Sequence, residues 1–388
     1  MEAAGAAVPM TFSGKRPVTF LDTSDKSAIV TLQTTQPSAS THSMVNSSTR
    51  GAEIAEGTSN VVAVTLDNYI RAETDKYFCA VAGRGALGRF VHRRAMVELD
   101  KQTVVRPNRD TLYSTAVFDL GAGPVTVTLP DAGEHYLSLQ VIDEDHYTYP
   151  LVYVSGSHTF DIEQLGTRYV LMGVRILANP DDPVDMRRAH ALQDAIEVSQ
   201  RDVGSFEVPN WDRAGLKTIR DALLVLGTSL SDTRRMFGTR EQVHQIHHLV
   251  GTAMAWGGIP EQDTLYLPIT PAYNDGHTVY RMTVGEVPVD GFWSVSVYNA
   301  DGYFEPNGLE AYSVNNLTAK RGSDGTVTIQ FGGCDGRTPN CLPTMPGWNY
   351  LVRLYRPRGA VLRGEWTFPL AQPVCQGDRN FSTMQREQ

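Results

Sequence analysis

Two runs of short alternating segments, separated by a stretch of helical period, set what this chain can become. PVTVTLP, HYLSLQVID, TYPLVYVSG and RYVLMGVRIL follow one another with turn residues between them. HTVYRMTVGEVP, FWSVSVYNA, GTVTIQF, YLVRLYRP and EWTFPL repeat the pattern later. Alternation of apolar and polar side chains buries one face of a strand, and closely spaced strands with Gly, Pro and Asn between them pair into antiparallel sheets. Each run therefore reads as a β-sandwich or jelly-roll-like pair of sheets.

The texture between the runs is helical. Asp181 and Asp182 cap a helix with Pro183 in its first turn, and Val184, Ala189, Leu192, Ala195 and Ile196 keep its period. A second helix is predicted over 211–226. A third is predicted from Thr239, where Gln242 completes a capping box and Val243, Ile246, Val250 and Met254 form the stripe. The fold class is mainly β (a β-rich α+β chain): two antiparallel sandwich or jelly-roll-like domains joined by a helical middle segment. The expected boundaries are 58–180, 181–260 and 261–371, with a frayed tail over 372–388. The Ser/Thr-rich leader over 1–57 holds too few apolar residues to offset its ordering entropy. Order begins with a short strand, NVVAVTL, and a helix capped by Asp67 that ends at Gly83, with Tyr69, Ala72, Lys76 and Cys79 along its inner side.

Charge and cysteine content narrow the function. With 43 acidic and 34 basic residues the formal charge is -9, and there is no Lys/Arg stripe. That argues against a nucleic-acid partner, because phosphate neutralisation needs clustered cations. No run approaches the roughly 20 apolar residues of a bilayer span, so membrane insertion is not expected. MEAAGAAVPM lacks the features of a signal peptide, which places the chain as written in the cytoplasm, with export if the true start differs. Four cysteines make no disulfide framework. Cys334 and Cys341, in GGCDGRTPNC, read as a structural pair, bridged or free, ahead of a redox pair or a metal half-site. There is no GxSxG elbow, P-loop or kinase set, and GRGALGR follows a helix, the wrong context for a dinucleotide site.

Long, compositionally unusual motifs are spread over the ordered chain: RAETD (71–75), VVRPNRDTLYS (104–114), DEDHY (143–147), HALQDAIEV (190–198), HLVGTAMAWGG (248–258), GFWSVSVYNADGYFEPN (291–307) and GGC…PNCLP…GWNYLVRLYRPR (332–358). In these motifs and their order the chain resembles the family that joins domain of unknown function 1254, N-terminal, to domain of unknown function 1214, C-terminal. The resemblance implies two β-rich domains around a helical connector and leaves the reaction open. Many relatives look exported, whereas this chain opens with a polar leader that has no counterpart in the family pattern.

Four groups of residues carry candidate chemistry. At the end of HYLSLQVID, Asp143 falls on the buried side of its strand, followed by Asp145, His146 and Tyr147. A carboxylate there is hydrogen-bonded, paired, or at the mouth of a cavity, and Asp, His and Tyr together suit acid–base work. The bland reading is a capped strand-end turn. In PNRDTLYS, Asn108, Arg109 and Asp110 precede a strand bearing Tyr113; Arg109 would clamp an anion and Asp110 orient it, or the two form a structural pair. In FWSVSVYNA, Trp293, Val295, Val297 and Asn299 share one face while Phe292, Ser294, Ser296 and Tyr298 share the other, which lines a pocket or meets solvent. In GWNYLVRLYRP, Asn349 and Arg353 share a face, with Arg353 either a buried anion partner or an exposed charge. His244 and His248 have the i, i+4 spacing of metal ligands without the glutamate of HExxH or a visible third ligand, while His247 looks packed on the apolar stripe.

The expected function is a small-molecule enzyme performing metal-independent hydrolytic or acid–base chemistry on a small, partly apolar, anionic substrate, in a pocket between or within the β domains. Asp145 or His146 would be the base, Arg109 and Arg353 the anion holders, and Tyr113 and Tyr147 hydrogen-bond donors. No cofactor is expected. The rival is a non-catalytic ligand-binding or assembly module that forms a homo-oligomer through its sheet faces. A further alternative is a metal-dependent enzyme using His244 and His248.

Overall fold

The computed structural model describes residues 60–102, 105–230 and 232–374; the leader and the end of the tail lie outside them. Helix α1 (Tyr69–Val81) comes first. The first run of strands forms β1 (Val91–His92), β2 (Thr111–Asp119), β3 (Val125–Leu129), β4 (Leu137–Asp143), β5 (Gly156–Phe160) and β6 (Tyr169–Leu177), with a one-turn helix α2 (Ile162–Leu165) between the last two. Helix α3 (Pro183–Asp194) follows, capped by the Asp182 side chain on the Val184 amide. Then come β7 (Glu197–Gln200), α4 (Arg213–Gly227) and α5 (Gln245–Met254). The second run gives β8 (Thr264–Ile269), β9 (Tyr280–Val284), β10 (Trp293–Tyr298), β11 (Ser313–Asn315), β12 (Val327–Phe331), β13 (Cys341–Leu342) and β14 (Asn349–Tyr355). A short helix α6 (Gly359–Leu362) and β15 (Gln372–Pro373) end the described chain.

The fold is mainly β and its sheets are predominantly antiparallel. In the N-terminal half a sheet ordered β1-β2-β6-β4 packs over a sheet ordered β5-β3-β7. Leu112, Ala116, Leu139, Val141, Met172, Val174 and Ile176 meet Val125, Val127 and Phe160 in the core between them. The C-terminal half repeats the plan with sheets ordered β11-β10-β14-β8 and β13-β12-β9-β15, which close on Val295, Val297, Ile329, Phe331, Trp348 and Val352. Helices α1, α4 and α5 share a third core around Tyr69, Ala72, Leu223 and Met254.

Several local expectations shift. NVVAVTL forms only the isolated bridge Val62↔Trp211, and α1 takes Asn68 rather than Asp67 as its N-cap. Its inner face carries Glu73, Thr74 and Asp75. TYPLVYVSG contributes bridges at Thr148 and Val152 but no continuous ladder, since Pro150 has no amide hydrogen to give one. EWTFPL forms no strand; Trp366 and Phe368 pack on the C-terminal core instead. The third helix begins at Gln245, six residues later than its capping box suggests. The Thr239 amide does bond Gln242 Oε1 at 2.9 Å, but that box closes a turn. β7, inside the stretch read as a connector, pairs with β3. Cys334 and Cys341 are bridged, with Cα atoms 5.7 Å apart.

Each large sheet has a second face, and the two second faces meet. On the N-terminal side, residues alternating with the core positions include Tyr113 of β2, Ser138 and Gln140 of β4 and Arg175 of β6. On the C-terminal side they include Tyr266 of β8, Ser294, Ser296 and Tyr298 of β10, and Arg353 and Tyr355 of β14. An aromatic cluster, Tyr136, Phe292 and Tyr355, closes one margin of this layer, with Phe292 and Tyr355 stacked at 3.9 Å.

Candidate functional site

The layer between the two sheets is polar, and that is its main peculiarity. Sheet faces that meet inside a protein are normally apolar, because burying an unbonded polar group costs a few kcal/mol. Here Ser138, Ser294, Ser296, Asp110 and Arg353 are all buried, and every one comes from a strand or the turn beside it. The turn over 106–110 explains much of the arrangement. Arg106 has left-handed backbone (φ 51), which turns the chain into Pro107 and points its carbonyl across the layer. Arg353 Nη2 donates to the Arg106 carbonyl at 2.8 Å and to Tyr298 Oη at 2.8 Å, while Tyr298 donates to the Pro107 carbonyl at 2.8 Å. Arg106 reaches back to Asn349 Oδ1 at 2.9 Å, and Asn349 Nδ2 holds the Asn299 carbonyl at 2.7 Å. Asp110 Oδ1 accepts from Ser313 at 2.8 Å and Asn315 at 3.0 Å, whereas Oδ2 has no partner among the described residues.

Arg175 is differently placed. It lies in register between Tyr113 on β2 and Ser138 on β4. Its Nη1 donates to Gln140 Oε1 at 2.8 Å, and its guanidinium lies 5.4 Å from the centroid of the Tyr113 ring. The charged or chargeable groups around it are the phenols Tyr113, Tyr266, Tyr355 and Tyr136; among the described residues no carboxylate forms an ion pair with it. A guanidinium carries five N–H donors, and Gln140 and Tyr113 leave several unused. Tyr113, Arg175 and Tyr266 keep partial solvent accessibility although they stand between the sheets, so they border a cleft rather than a sealed core. Asn108 Nδ2 lies 3.2 Å from Tyr113 Oη and 3.1 Å from Tyr355 Oη, which gathers the two phenols at one point. Burial alone would raise the Tyr113 phenol; Arg175 and the neighbouring donors Thr111 and Asn108 outweigh it and hold the phenol below its usual range.

The DEDHY cluster is a separate place. It borders a cavity of about 310 Å³ lined in part by Asp143, Asp145, Tyr147, Tyr149, Arg240 and Glu241. Asp145 points into it and is held by Arg71 Nη2 at 2.7 Å, from the RAETD motif on α1. Asp143 is buried: Oδ1 accepts the amides of Asp145 and Tyr147, both at 2.9 Å, and Oδ2 stands 3.3 Å from Tyr149 Oη. Burial raises its carboxyl, helped by the Asp145 charge and opposed by the two amides, to about 7.

His146 turns the other way. It is fully buried with left-handed backbone (φ 63). Its Nε2 accepts the Gly257 amide at 2.8 Å, so Nδ1 carries the proton and donates to Thr252 Oγ1, also at 2.8 Å. Burial, with His248 nearby, pushes the imidazole well below 6.5. With both nitrogens engaged and the ring packed on Trp256 at 5.3 Å, His146 is an organising residue of the turn. Tyr147 stacks between His248 at 4.8 Å and the Arg240 guanidinium at 4.8 Å.

The remaining expected residues scatter. Arg109 gives its guanidinium to the Val97 carbonyl and lies over Tyr312 at 5.0 Å, away from Asp145 and His146. Asp110 pairs with Ser313 and Asn315 instead of with Arg109. Trp293 is packed in the C-terminal core against Phe368. Asn299 Oδ1 caps its own turn at the Asp301 and Tyr303 amides. His248 faces the carbonyls of Met236 and Asp145 at 2.9 and 3.0 Å, while His244 is exposed beside His247, so the two do not converge on one ion. His248, not His247, is the packed histidine. Among the described residues no three His, Cys, Asp or Glu side chains form a metal-binding group, and no helix is long and apolar enough to cross a membrane.

Sequence reasoning missed Arg175, Gln140, Tyr266 and Tyr355 in the cleft, and Arg71 and Thr252 around DEDHY. Arg175 was within reach: in RYVLMGVRIL the alternate positions Val170, Met172, Val174 and Ile176 are apolar, so the positions between them, Arg175 included, form the second face.

Comparison with known proteins agrees with the motif pattern. The chain matches the model of a protein of unknown function (DUF1254) over residues 87–161 and that of a second (DUF1214) over residues 271–359. The cleft residues Asn108, Asp110 and Tyr113 fall in the first range and Tyr298, Arg353 and Tyr355 in the second, while Arg175 lies between them. The crystal structure of the VPA0106 protein from Vibrio parahaemolyticus shares the fold, with a TM-score of 0.64 at 20% identity over 80% of this chain and 98% of that one. An uncharacterised Burkholderia cenocepacia protein aligns at 15% identity over 80% of this chain and 89% of its own, with a TM-score of 0.46. No curated protein matches.

Proposed function

For a chain that joins a DUF1254 region to a DUF1214 region, we propose binding of a small, partly apolar organic anion in the cleft between the two sheets, with metal-independent acid–base chemistry at its phenols. The observation that carries this reading is Arg175, a guanidinium deep between two sheets with phenols and an amide around it and, among the described residues, no carboxylate paired to it. A buried cation without a counter-charge is unfavourable unless an anion completes it, and a guanidinium fork matches a carboxylate in two parallel hydrogen bonds. The walls supplied by Tyr113, Tyr266 and Tyr355 suit a flat apolar body behind that carboxylate. Arg353, expected as an anion holder, is consumed by two carbonyls, Tyr298 and Ser296, and supports the floor of the cleft.

A thermal-shift screen of wild type against acetate, benzoate and phenylacetate, beside Arg175→Met, tests the reading. A ligand at about 100 times its Kd stabilises a protein by roughly 2.7 kcal/mol. The expected result is stabilisation of wild type by an aromatic carboxylate and none of the variant. Equal shifts in both proteins would sink the proposal.

A non-catalytic binding module is favoured by one observation: His146, one of the two expected bases beside Asp145, has both nitrogens bound within the fold. Turnover of whichever carboxylate binds separates the two readings. The Cys334–Cys341 bridge suits an oxidising compartment better than the cytosol and supports export as the reading of location.

A further inference from the structure

Gly173 stands in the middle of β6, where a side chain is the rule, and it faces the layer between the sheets. Val170, Met172, Val174 and Ile176 point into the N-terminal core, so Gly173 and Arg175 share the opposite face. In register Gly173 lies between Thr115 of β2 and Gln140 of β4. It is buried, yet a methyl group placed on it would meet nothing within 4 Å among the described residues beyond its chain neighbours. Protein interiors are packed to nearly crystal density, so an enclosed gap on a sheet face is an exception. Glycine weakens a strand, and inside one it marks a bulge or a place where something comes close to the backbone. The ladder runs unbroken through Gly173 on both sides, so it marks no bulge.

The two ends of this recess differ. Toward one end the next row is Tyr113, Arg175 and Ser138. Arg175 leans along the face toward Gln140, as the bond from its Nη1 to Gln140 Oε1 at 2.8 Å shows. Ser138 is fully buried, and its Oγ has no hydrogen-bond partner among the described residues. Toward the other end the next row is Val117, Leu171 and Ile142, all buried and apolar. Gln140 Nε2 donates to the carbonyls of Gly257 and Gly258 at 3.4 and 3.0 Å, so the segment after α5 closes the β4 side. Tyr113 and Thr115 keep partial exposure, which leaves the β2 side as the entrance. From Arg175 to Leu171 the strand runs about 13 Å, at 3.3 Å per residue.

We propose that Gly173 is the specificity-determining residue of the cleft: the space left by its missing side chain takes the apolar body of an arylcarboxylate whose charged end is held by Arg175. This deepens, and rests on, the reading of the cleft as an organic-anion site. A carboxylate at Arg175 with its carbon skeleton directed away from the polar row lies over Gly173 and reaches the row of Val117 and Leu171. Ser138, opposite Arg175 in register, adds a hydroxyl donor for the same carboxylate. Charge followed by apolar surface along one strand selects a monocarboxylate with a ring. It disfavours a dicarboxylate, whose second charge would be buried against Leu171 with no partner.

The test is steric and leaves every charge in place. Gly173→Ala and Gly173→Val, made in the full chain, are compared with wild type by thermal melts and by calorimetric titration with phenylacetate, benzoate and acetate. Gly173 has no left-handed backbone, so a side chain suits the strand. Both variants should melt at or above the wild-type temperature, because the new atoms displace nothing and the unfolded chain loses freedom. Wild type should bind phenylacetate more tightly than acetate. Gly173→Ala should weaken phenylacetate by about threefold to tenfold and Gly173→Val by about tenfold to a hundredfold. Acetate, small enough to sit at Arg175 alone, should bind all three proteins alike. Undiminished phenylacetate binding by Gly173→Val overturns this inference and leaves the anion site standing; if that variant does not fold, Gly173→Ala decides in the same way. Loss of acetate along with phenylacetate also overturns it, since the space would then hold the charged group. A melting temperature lowered by Gly173→Ala means that the fold already fills the space, and the inference falls. Binding of none of the three carboxylates by wild type removes the anion site and the inference with it.

Discussion

The single hydroxyl hydrogen of Tyr149 is shared between the Leu165 carbonyl at 2.7 Å and Asp143 Oδ2 at 3.3 Å, so the longer contact gives the Asp143 carboxylate only weak support. Burial disfavours the charged form by more than the two amides and Tyr149 offset. The folded protein therefore holds this proton to about 7, while the unfolded chain releases it near 3.8. More protons bound in the folded state means that stability falls as pH rises from about 4 to about 7 and then levels off. Asp143→Asn removes the buried charge and keeps an acceptor for the two amides. It should raise stability by roughly 1–3 kcal/mol at pH 8 and change it by less than about 1 at pH 4, read from urea unfolding at both pH values.

His146 predicts the opposite pH trend. Its imidazole is held well below 6.5 when folded, so the unfolded chain takes up a proton that the folded one refuses. The resulting stability is present above about pH 6.5 and is lost as pH falls. His146→Ala orphans the Gly257 amide and opens a cavity beside Trp256. It should cost about 2–4 kcal/mol at pH 7.5. That difference should shrink by roughly 1–2 kcal/mol at pH 5, where wild type has already surrendered the histidine contribution. A loss that does not change with pH would mean that the ring is accessible to protons in the folded state.

The two arginines once paired as anion holders should part company. Arg353→Met leaves the Arg106 carbonyl, the Tyr298 oxygen and Ser296 without their shared donor and should destabilise the chain by about 3–5 kcal/mol. Arg109→Ala removes one carbonyl contact and a stacked ring at a partly exposed position and should cost about 1 kcal/mol or less. Thermal melts of both variants check the ranking.

Reducing the Cys334–Cys341 bridge opens a loop with a sequence separation of 7. Chain entropy for so short a loop gives about 2–3 kcal/mol. A denaturant melt with and without reductant should shift its midpoint by that amount. No shift would show that the Gly/Pro/Asn loop is already as restricted without the bond.

Much of this architecture was legible because alternation is a local signal. The odd positions of β4, Leu137, Leu139 and Val141, identified its core face correctly from their apolar residues. Asp143 was placed on the buried side by the same count. The second faces were harder. Ser294, Ser296 and Tyr298 read equally well as a solvated surface, because a polar face says nothing about what covers it. Only the carbonyls of the 106–107 turn, far away in sequence, show that the face is buried. Arg109 and Arg353 illustrate the same limit: both are arginines beside a turn or on a strand, and the partners that distinguish them come from elsewhere. The start of α5 slipped because a capping box is also a good turn, and nothing within six residues distinguishes the two.

The reach of Arg353 back to the Arg106 carbonyl spans 247 residues. On the ribosome the 106–110 turn emerges long before β14 exists to receive it. The first sandwich can assemble around its own apolar core during that wait, but it must do so with one sheet face polar and unclosed. The layer between the two sheets is thus the last part of the molecule to mature, and a chain truncated anywhere before β14 would carry a folded first half whose polar sheet face stays uncovered.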